Sequence, residues 1–114
     1  MTKIGILHPG EMGVSIAASA INSGNQVYWT AENRSGKTRL RAEKYGLLDA
    51  SSLSQLTQNS ETIFSVCPPH SAEEVAKSVI ENGFKGYYLD ANAIAPQRAI
   101  KIGNMMESNG IHFI

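Results

Sequence analysis

Residues 3–13 read KIGILHPGEMG, a short apolar run followed at once by a turn that contains two glycines. The run over residues 3–7 has the β-branched and apolar side chains that are typical of a buried strand. A helical pattern begins at Glu11, and its apolar positions recur at spacings of three and four residues. These positions are Val14, Ala17, Ala18 and Ile21. The stretch therefore predicts a strand, a tight turn and a helix.

The same alternation of strand and helix continues through the rest of the chain. Further strands are predicted over residues 26–30, 61–66, 86–90 and 111–114. Helices are predicted over residues 11–23, 35–45, 52–58, 71–82 and 96–109. Ser51 or Ser52 is the predicted N-cap of the third helix, and Ser71 is that of the fourth. A glycine follows four of them, which is typical of helix C-termini. This order predicts an α/β fold of Rossmann type, a doubly wound parallel sheet with helices on both faces, as one three-layer domain over residues 1–114.

Composition narrows the class of protein. The chain has 114 residues and an apolar fraction of 42%, and no apolar run approaches the roughly 20 residues that a membrane span needs. The formal net charge is zero, so no strong field favours nucleic acid or a membrane surface. One cysteine and the lack of a signal-peptide pattern favour a cytoplasmic setting. The three histidines do not have metal-ligand spacing, and we expect no metal site.

The glycine turn after the first strand is the strongest candidate for a binding site. In a doubly wound sheet, ligands bind outside the carboxyl ends of the strands, beside the first strand. The turn has the second and third glycines of a Gly-x-Gly-x-x-Gly fingerprint as Gly10 and Gly13, with His8 at the first position. Gly10 would let a pyrophosphate approach the backbone, and Gly13 would let the helix pack on the strand.

The predicted phosphate loop consists of His8, Pro9, Gly10, Glu11, Met12 and Gly13. The N–H groups and the positive dipole end of the following helix would face the phosphates. A lone Gly-x-x-Gly is a weak signal, because ordinary strand-to-helix turns also contain it. The position after the N-terminal strand and the repeated strand–helix order favour the dinucleotide interpretation.

The segment after the second strand bears on the choice between NADP and NAD. Glu32 follows Gly13 by about 20 residues, where a carboxylate that binds the ribose 2′-hydroxyl of NAD is expected. Arg34, beside Ser35 and Lys37, offers instead a planar guanidinium for the 2′-phosphate of NADP. We predict NADP as the preferred cofactor and NAD as the alternative. The cluster of Arg and Lys that continues to Lys44 can also be read as a solvated helix face.

The motifs together resemble a known family. Residues 4–13, with Ala17 four positions on, resemble the N-terminal domain of the 3-hydroxyisobutyrate and 6-phosphogluconate dehydrogenase family, in a branch whose loop reads His-Pro-Gly-x-Met-Gly. The family usually has Ile-Gly-x-Ile-Gly-x-Gly-x-Met-Gly at this point. Asn33-Arg34-Ser35 matches its Asn-Arg-Ser/Thr, and residues 66–69 are similar to its loop along the nicotinamide half. Residues 90–96, DANAIAP, match its substrate-binding Asp-x-Ser-Thr-x-x-Pro.

The resemblance implies an NAD(P)-dependent oxidoreductase that acts on a small hydroxy acid. Besides the phosphate loop, the implied cofactor-binding residues are Glu32, Asn33, Arg34, Ser35, Cys67, Pro68, Pro69 and Asn92. Cys67 is interpreted as a wall of the cofactor pocket rather than a nucleophile. Asn92 and Ala93 replace the family's Ser-Thr pair, so substrate identity does not transfer, although Asn92 can still orient a substrate by hydrogen bonds.

Family members also have a helical C-terminal domain that carries the catalytic lysine and the dimer contacts. We expect this chain to lack that domain, to contain no catalytic residue and to turn over no substrate alone. Its oligomeric state is not predicted, with a homodimer as one option. One alternative is a nucleotide sensor or regulatory module without a reaction. The other is an S-adenosylmethionine methyltransferase, which ranks last because it explains neither residues 33–35 nor residues 90–96.

Overall fold

The computed structural model describes residues 2–7, 11–30, 36–66, 69–91 and 95–114. Their six strands are β1 (Lys3–Leu7), β2 (Gln26–Trp29), β3 (Leu48–Asp49), β4 (Thr62–Ser65), β5 (Tyr87–Asp90) and β6 (His112–Phe113). Their five α-helices are α1 (Glu11–Asn22), α2 (Gly36–Lys44), α3 (Leu53–Asn59), α4 (Ala72–Glu81) and α5 (Pro96–Ser108). A short 3-10 turn, Pro69–Ser71, precedes α4.

The strands form a parallel sheet in the order β3-β2-β1-β4-β5-β6. This is the strand order of the Rossmann fold, so the predicted fold class is confirmed. The order reverses at β1, which pairs with β2 on one side and with β4 on the other. The crevice expected to bind a ligand therefore lies at the carboxyl ends of β1 and β4.

Two apolar layers cover the two faces of the sheet. One contains Ala17 of α1 and Ala42 of α2, packed with Trp29 of β2. The other contains buried side chains from α3, α4 and α5, such as Leu56 and Met106. Ile6 belongs to the first layer and Leu7 to the second, as expected from the alternation of side chains along a strand.

Five of the six strands and all five α-helices of the described residues lie within one residue of their predicted ends, whereas β3 was not predicted. That strand has only Leu48 and Asp49, and both side chains are exposed. A two-residue exposed strand gives no alternation of buried and exposed side chains, so periodicity could not reveal it.

Two local predictions need correction. The side chain of Ser71 makes no capping hydrogen bond, because Ser71 ends a 3-10 turn and has helical φ and ψ instead of the extended ones of a capping residue. The inner face of α1 includes Ile16 and Ala20 with Ala17 and Ile21, whereas Ala18 lies outside that cluster. At α3 the prediction was right, since Ser52 Oγ accepts a hydrogen bond from the N–H of Gln55 at 3.2 Å.

Gly5, the first glycine of the opening motif, is needed for packing. A β-carbon on Gly5 would lie 2.5 Å from Ser60 Oγ and 2.6 Å from Leu56 Cδ2. The end of α3 thus approaches the backbone of β1 closely enough that only glycine fits without a shift of these neighbours.

Among the helices that the structure describes, none has the length and the apolar character needed to cross a bilayer.

Candidate dinucleotide-binding site

The carboxyl ends of three neighbouring strands form a continuous row. Leu7 is the register partner of Ser65, and Ser65 is the register partner of Asp90. The N–H of Ala91 donates to the carbonyl oxygen of Ser65 at 3.0 Å, which extends the ladder by one residue. The chain therefore leaves β1, β4 and β5 side by side at one edge of the sheet, as expected for parallel strands.

The predicted phosphate loop begins at this row. β1 ends at Leu7 and α1 begins at Glu11, so Glu11, Met12 and Gly13 form the first turn of α1. The first N–H groups of an α-helix have no partner within the helix, and here they lie directly after the central strand. The other members of the predicted loop, His8, Pro9 and Gly10, lie outside the described residues. A helix that begins four residues after the central strand, with a glycine in its first turn, fits a dinucleotide pyrophosphate.

The second predicted segment follows β2. Trp29, the last residue of β2, is fully buried and is the register partner of Asp49 in β3. α2 begins at Gly36, so its N-terminus lies on the carboxyl side of β2. The predicted ribose-binding and phosphate-binding residues Glu32, Asn33, Arg34 and Ser35 lie outside the described residues.

Two members of the predicted basic cluster are described together with their contacts. Arg39 Nη1 lies 4.0 Å from Asp49 Oδ2, and both side chains are about half exposed. Lys44 Nζ lies 5.7 Å from the ring centroid of Tyr45, a contact within reach of a cation–π interaction. These two residues therefore have different surroundings although both are on α2, and only Arg39 lies at the carboxyl edge of the sheet.

The remaining predicted residues follow β4 and β5. Cys67, Pro68 and Asn92 lie outside the described residues, and Pro69 begins the 3-10 turn that leads into α4. Ser65, directly before this segment, is fully buried, and His70 within the turn is exposed. In the part of the chain that the structure describes, no three His, Cys, Asp or Glu side chains are grouped so that they could hold a metal ion.

A cleft between the first turns of α4 and α5 lies beside this edge, and the sequence analysis did not predict it. Its volume is about 360 Å³, and it is lined by Glu73, Ala95, Gln97, Arg98 and Lys101. Glu73 is in the first turn of α4. Its contacts with Lys101 depend on the packing of α5 against α4, which helical spacing within one segment cannot reveal.

The carboxylate of Glu73 is held by two lysines. Glu73 lies 3.1 Å from Lys101 Nζ and 3.4 Å from Lys77 Nζ. Hydrogen bonds from Lys101 and then from Lys77 hold the pKa of the Glu73 carboxyl below its ordinary value. Both lysines are exposed, so the pairs are screened by solvent.

A parallel sheet in Rossmann order, with a helix that begins just after its central strand and has a glycine in its first turn, is typical of a dinucleotide-binding domain. Residues 3–89 match the sequence profile of the family described as NADP oxidoreductase, coenzyme F420-dependent. The chain belongs to this family of NADP-binding oxidoreductases. The predicted class of protein, with NADP or NAD as its cofactor, is thereby confirmed, and the preference for NADP stays a prediction.

Several solved structures have the same fold as this chain. A conserved protein of unknown function, described as structurally similar to 3-hydroxyacid dehydrogenases, superposes with a TM-score of 0.87 at 23% identity, over 97% of this chain and 41% of that one. The 3-hydroxyisobutyrate dehydrogenase of Mycobacterium tuberculosis gives a TM-score of 0.84 at 18% identity, over 99% and 39%. An imine reductase of Myxococcus stipitatus in complex with NAD⁺ gives 0.81 at 16% identity, over 99% and 39%.

The chain thus spans about 40% of the length of these solved proteins. No curated protein sequence matches it.

Proposed function

We propose that the chain is the cofactor-binding part of an oxidoreductase that transfers a hydride between NADP and a small hydroxy acid. The observation that carries this proposal is the start of α1 at Glu11, four residues after the central strand β1 at which the sheet order reverses, in a chain of an NADP oxidoreductase family. The similarity of fold to a 3-hydroxyisobutyrate dehydrogenase supports a hydroxy acid as the substrate class.

Each segment at the carboxyl edge has a proposed role. Residues 8–13 bind the pyrophosphate, with Gly10 at the closest approach and the N-terminus of α1 facing the negative charge. Glu32 contacts the adenosine ribose, and Asn33, Arg34 and Ser35 bind its 2′-phosphate. Cys67, Pro68 and Pro69 form a wall of the nicotinamide pocket, and Asn92 orients the substrate. A bound NADP⁺ would accept the hydride from the alcohol carbon of the hydroxy acid, and the protein supplies position and electrostatics.

Proton transfer and closure of the cleft are assigned to a part of the protein outside residues 1–114. The solved proteins of the same fold are more than twice as long as this chain. We propose that a helical C-terminal domain supplies the lysine that exchanges the substrate proton and closes the cleft against water. The same domain would form a homodimer, and the whole protein would work in the cytoplasm without nucleic acid or membrane partners.

A titration of the 114-residue chain tests the cofactor assignment directly. We expect NADPH to bind more tightly than NADH, and S-adenosylmethionine to leave the thermal midpoint unchanged. NADPH and NADH differ only at the 2′-phosphate, so each is the matched control for the other. A chain that is stabilised by S-adenosylmethionine and not by either nicotinamide cofactor would contradict the proposal.

A further inference from the structure

We propose that Arg39 is a second cation for the 2′-phosphate of NADP, and that it lies beside Asp49 while no phosphate is bound. The proposal rests on the NADP binding proposed above and adds a residue that sets the preference over NAD. The predicted 2′-phosphate site involves Arg34, and neither Arg39 nor Asp49 was assigned to it from the sequence.

Asp49, the last residue of β3, lies next to the end of β2. It is the register partner of Trp29, the last residue of β2, and the N–H of Ala50 donates to the carbonyl oxygen of Trp29 at 2.7 Å. Asp49 therefore lies at the carboxyl edge of the sheet, one strand away from the end of β2. The adenosine ribose of a dinucleotide is bound at that end of the second strand.

Arg39 lies on α2, the helix that follows β2. It is the fourth residue of α2, the helix that begins on the carboxyl side of β2. Its Nη1 reaches within 4.0 Å of Asp49 Oδ2, so the guanidinium lies at the same edge as the end of β2. A phosphate on the ribose at this edge would meet the guanidinium from the solvent side, where half of the Arg39 side chain is exposed.

The contact between Arg39 and Asp49 is weak. At 4.0 Å between half-exposed groups, the ion pair is long and weakly held. Asp49 Oδ1 accepts a hydrogen bond from the N–H of Ser51 at 2.8 Å, so the carboxylate is fixed by the backbone whether or not Arg39 contacts it. Arg39 can therefore turn to a phosphate without releasing Asp49 from its place.

The 2′-phosphate is a stronger acceptor for the Arg39 guanidinium than the Asp49 carboxylate is. A 2′-phosphate carries more charge than a carboxylate and accepts two parallel N–H bonds from a guanidinium. Asp49 would repel that phosphate if Arg39 were absent, and with Arg39 between them the repulsion is offset. NAD has no charge at this position, so Arg39 would remain on Asp49 and the pair would leave NAD affinity unchanged.

The experiment compares dissociation constants of NADPH and NADH for the 114-residue chain and for three variants. In Arg39→Gln we expect NADPH to bind about tenfold more weakly, with NADH within about twofold of wild type. In Asp49→Asn, whose amide oxygen can still accept from Ser51, we expect NADPH to bind more tightly and NADH to be unchanged. Lys44→Gln removes a charge from the same helix far from this edge, and it should leave the ratio of the two constants unchanged.

The results separate this proposal from the proposed function. If wild type binds neither cofactor, the proposed function fails and this inference fails with it. If wild type prefers NADPH and Arg39→Gln leaves that preference intact, the proposed function stands and the role of Arg39 is wrong. Equal losses for NADPH and NADH in Arg39→Gln would also overturn it, because a structural role affects both cofactors alike.

Discussion

The carboxylate of Glu73, in the first turn of α4, lies 3.1 Å from Lys101 Nζ on the neighbouring helix α5. Lys77, one turn further along α4, approaches the same carboxylate to 3.4 Å. Glu73 thus joins two helices that follow adjacent strands β4 and β5, close to the segments that lead from those strands toward the proposed nicotinamide site. The pairs make the packing of the two helices sensitive to the charge of one carboxyl group.

Stability should depend on the protonation of Glu73. Lys101 and Lys77 lower the pKa of the Glu73 carboxyl in the folded chain below its ordinary value of 4.5. A group with a lowered pKa stabilises the fold above its unfolded pKa, and this contribution is lost as the pH falls through the folded pKa. We expect Glu73→Gln to lower the thermal midpoint slightly at pH 7, with a difference from wild type that disappears in acid.

Glu74→Gln is the matched control, because Glu74 is also in the first turn of α4 and has the same relation to the helix dipole. Within the described residues Glu74 makes none of the ion pairs that Glu73 makes. Thermal midpoints between pH 3 and pH 7 measure both variants. A Glu73→Gln difference that persists unchanged at low pH would show that charge is not its cause.

Close packing at Gly5 gives a second prediction. A β-carbon there would overlap Ser60 Oγ and Leu56 Cδ2, so Gly5→Ala should lower the free energy of unfolding by about 1–3 kcal/mol, as is typical of overpacking. Ser60 Oγ is buried and has no hydrogen-bond partner among the described residues. Ser60→Ala alone should therefore cost little, and combined with Gly5→Ala it should restore part of the loss. Urea unfolding of the three variants tests this, and a Gly5→Ala chain as stable as wild type would contradict the close approach of α3 to β1.

Most elements of the fold are predictable from the sequence for a physical reason. Strands such as Lys3–Leu7 and helices such as α5 have buried faces, and burial imposes a period on the sequence that can be read directly. Glycines with positive φ, such as Gly83 and Gly110, mark the helix ends because other residues rarely adopt that conformation.

The misses concern features that local sequence does not determine. β3 is too short and too exposed to have a period, and the failed cap at Ser71 depends on the 3-10 turn that precedes it. The pairs Arg39–Asp49 and Glu73–Lys101 join residues 10 and 28 positions apart on different elements. The strand ends of the candidate site were predictable because parallel strands place all their carboxyl ends on one edge.

The phosphate loop can be tested at its closest point. Gly10→Val would place a branched side chain where the pyrophosphate is proposed to contact the backbone, so affinity for NADPH should fall by more than about tenfold. Ser19→Val, on an exposed position of α1, adds similar bulk away from the edge and should leave affinity unchanged. Circular dichroism should show that both variants keep the fold. Unchanged NADPH binding in Gly10→Val would contradict the proposed position of the cofactor.

The choice of cofactor can be tested at Arg34. If its guanidinium binds the 2′-phosphate, Arg34→Ala should weaken NADPH by about tenfold and leave NADH within about twofold. Glu32→Gln is the complementary variant and should weaken NADH binding, because a carboxylate at that position favours the free 2′-hydroxyl of NAD. Wild-type chain that binds NADH more tightly, with no response to Arg34→Ala, would show that the preference for NADP is wrong.

The last prediction is that the 114-residue chain binds NADP without turnover. Oxidation of an alcohol needs a base within hydrogen-bond reach of the reacting oxygen. The ionisable groups on the proposed substrate side are His70, Cys67 and Asp90. His70 is exposed in the 3-10 turn, Asp90 is half-buried as the last residue of β5, and Asn92 can orient a substrate but cannot take its proton. The resemblance assigns the proton to a lysine of a second domain, which would also exclude water. We therefore expect no NADPH formation from 3-hydroxyisobutyrate or 6-phosphogluconate at cofactor concentrations that saturate binding. Steady NADPH production that is lost in His70→Ala would identify His70 as the base and overturn this prediction.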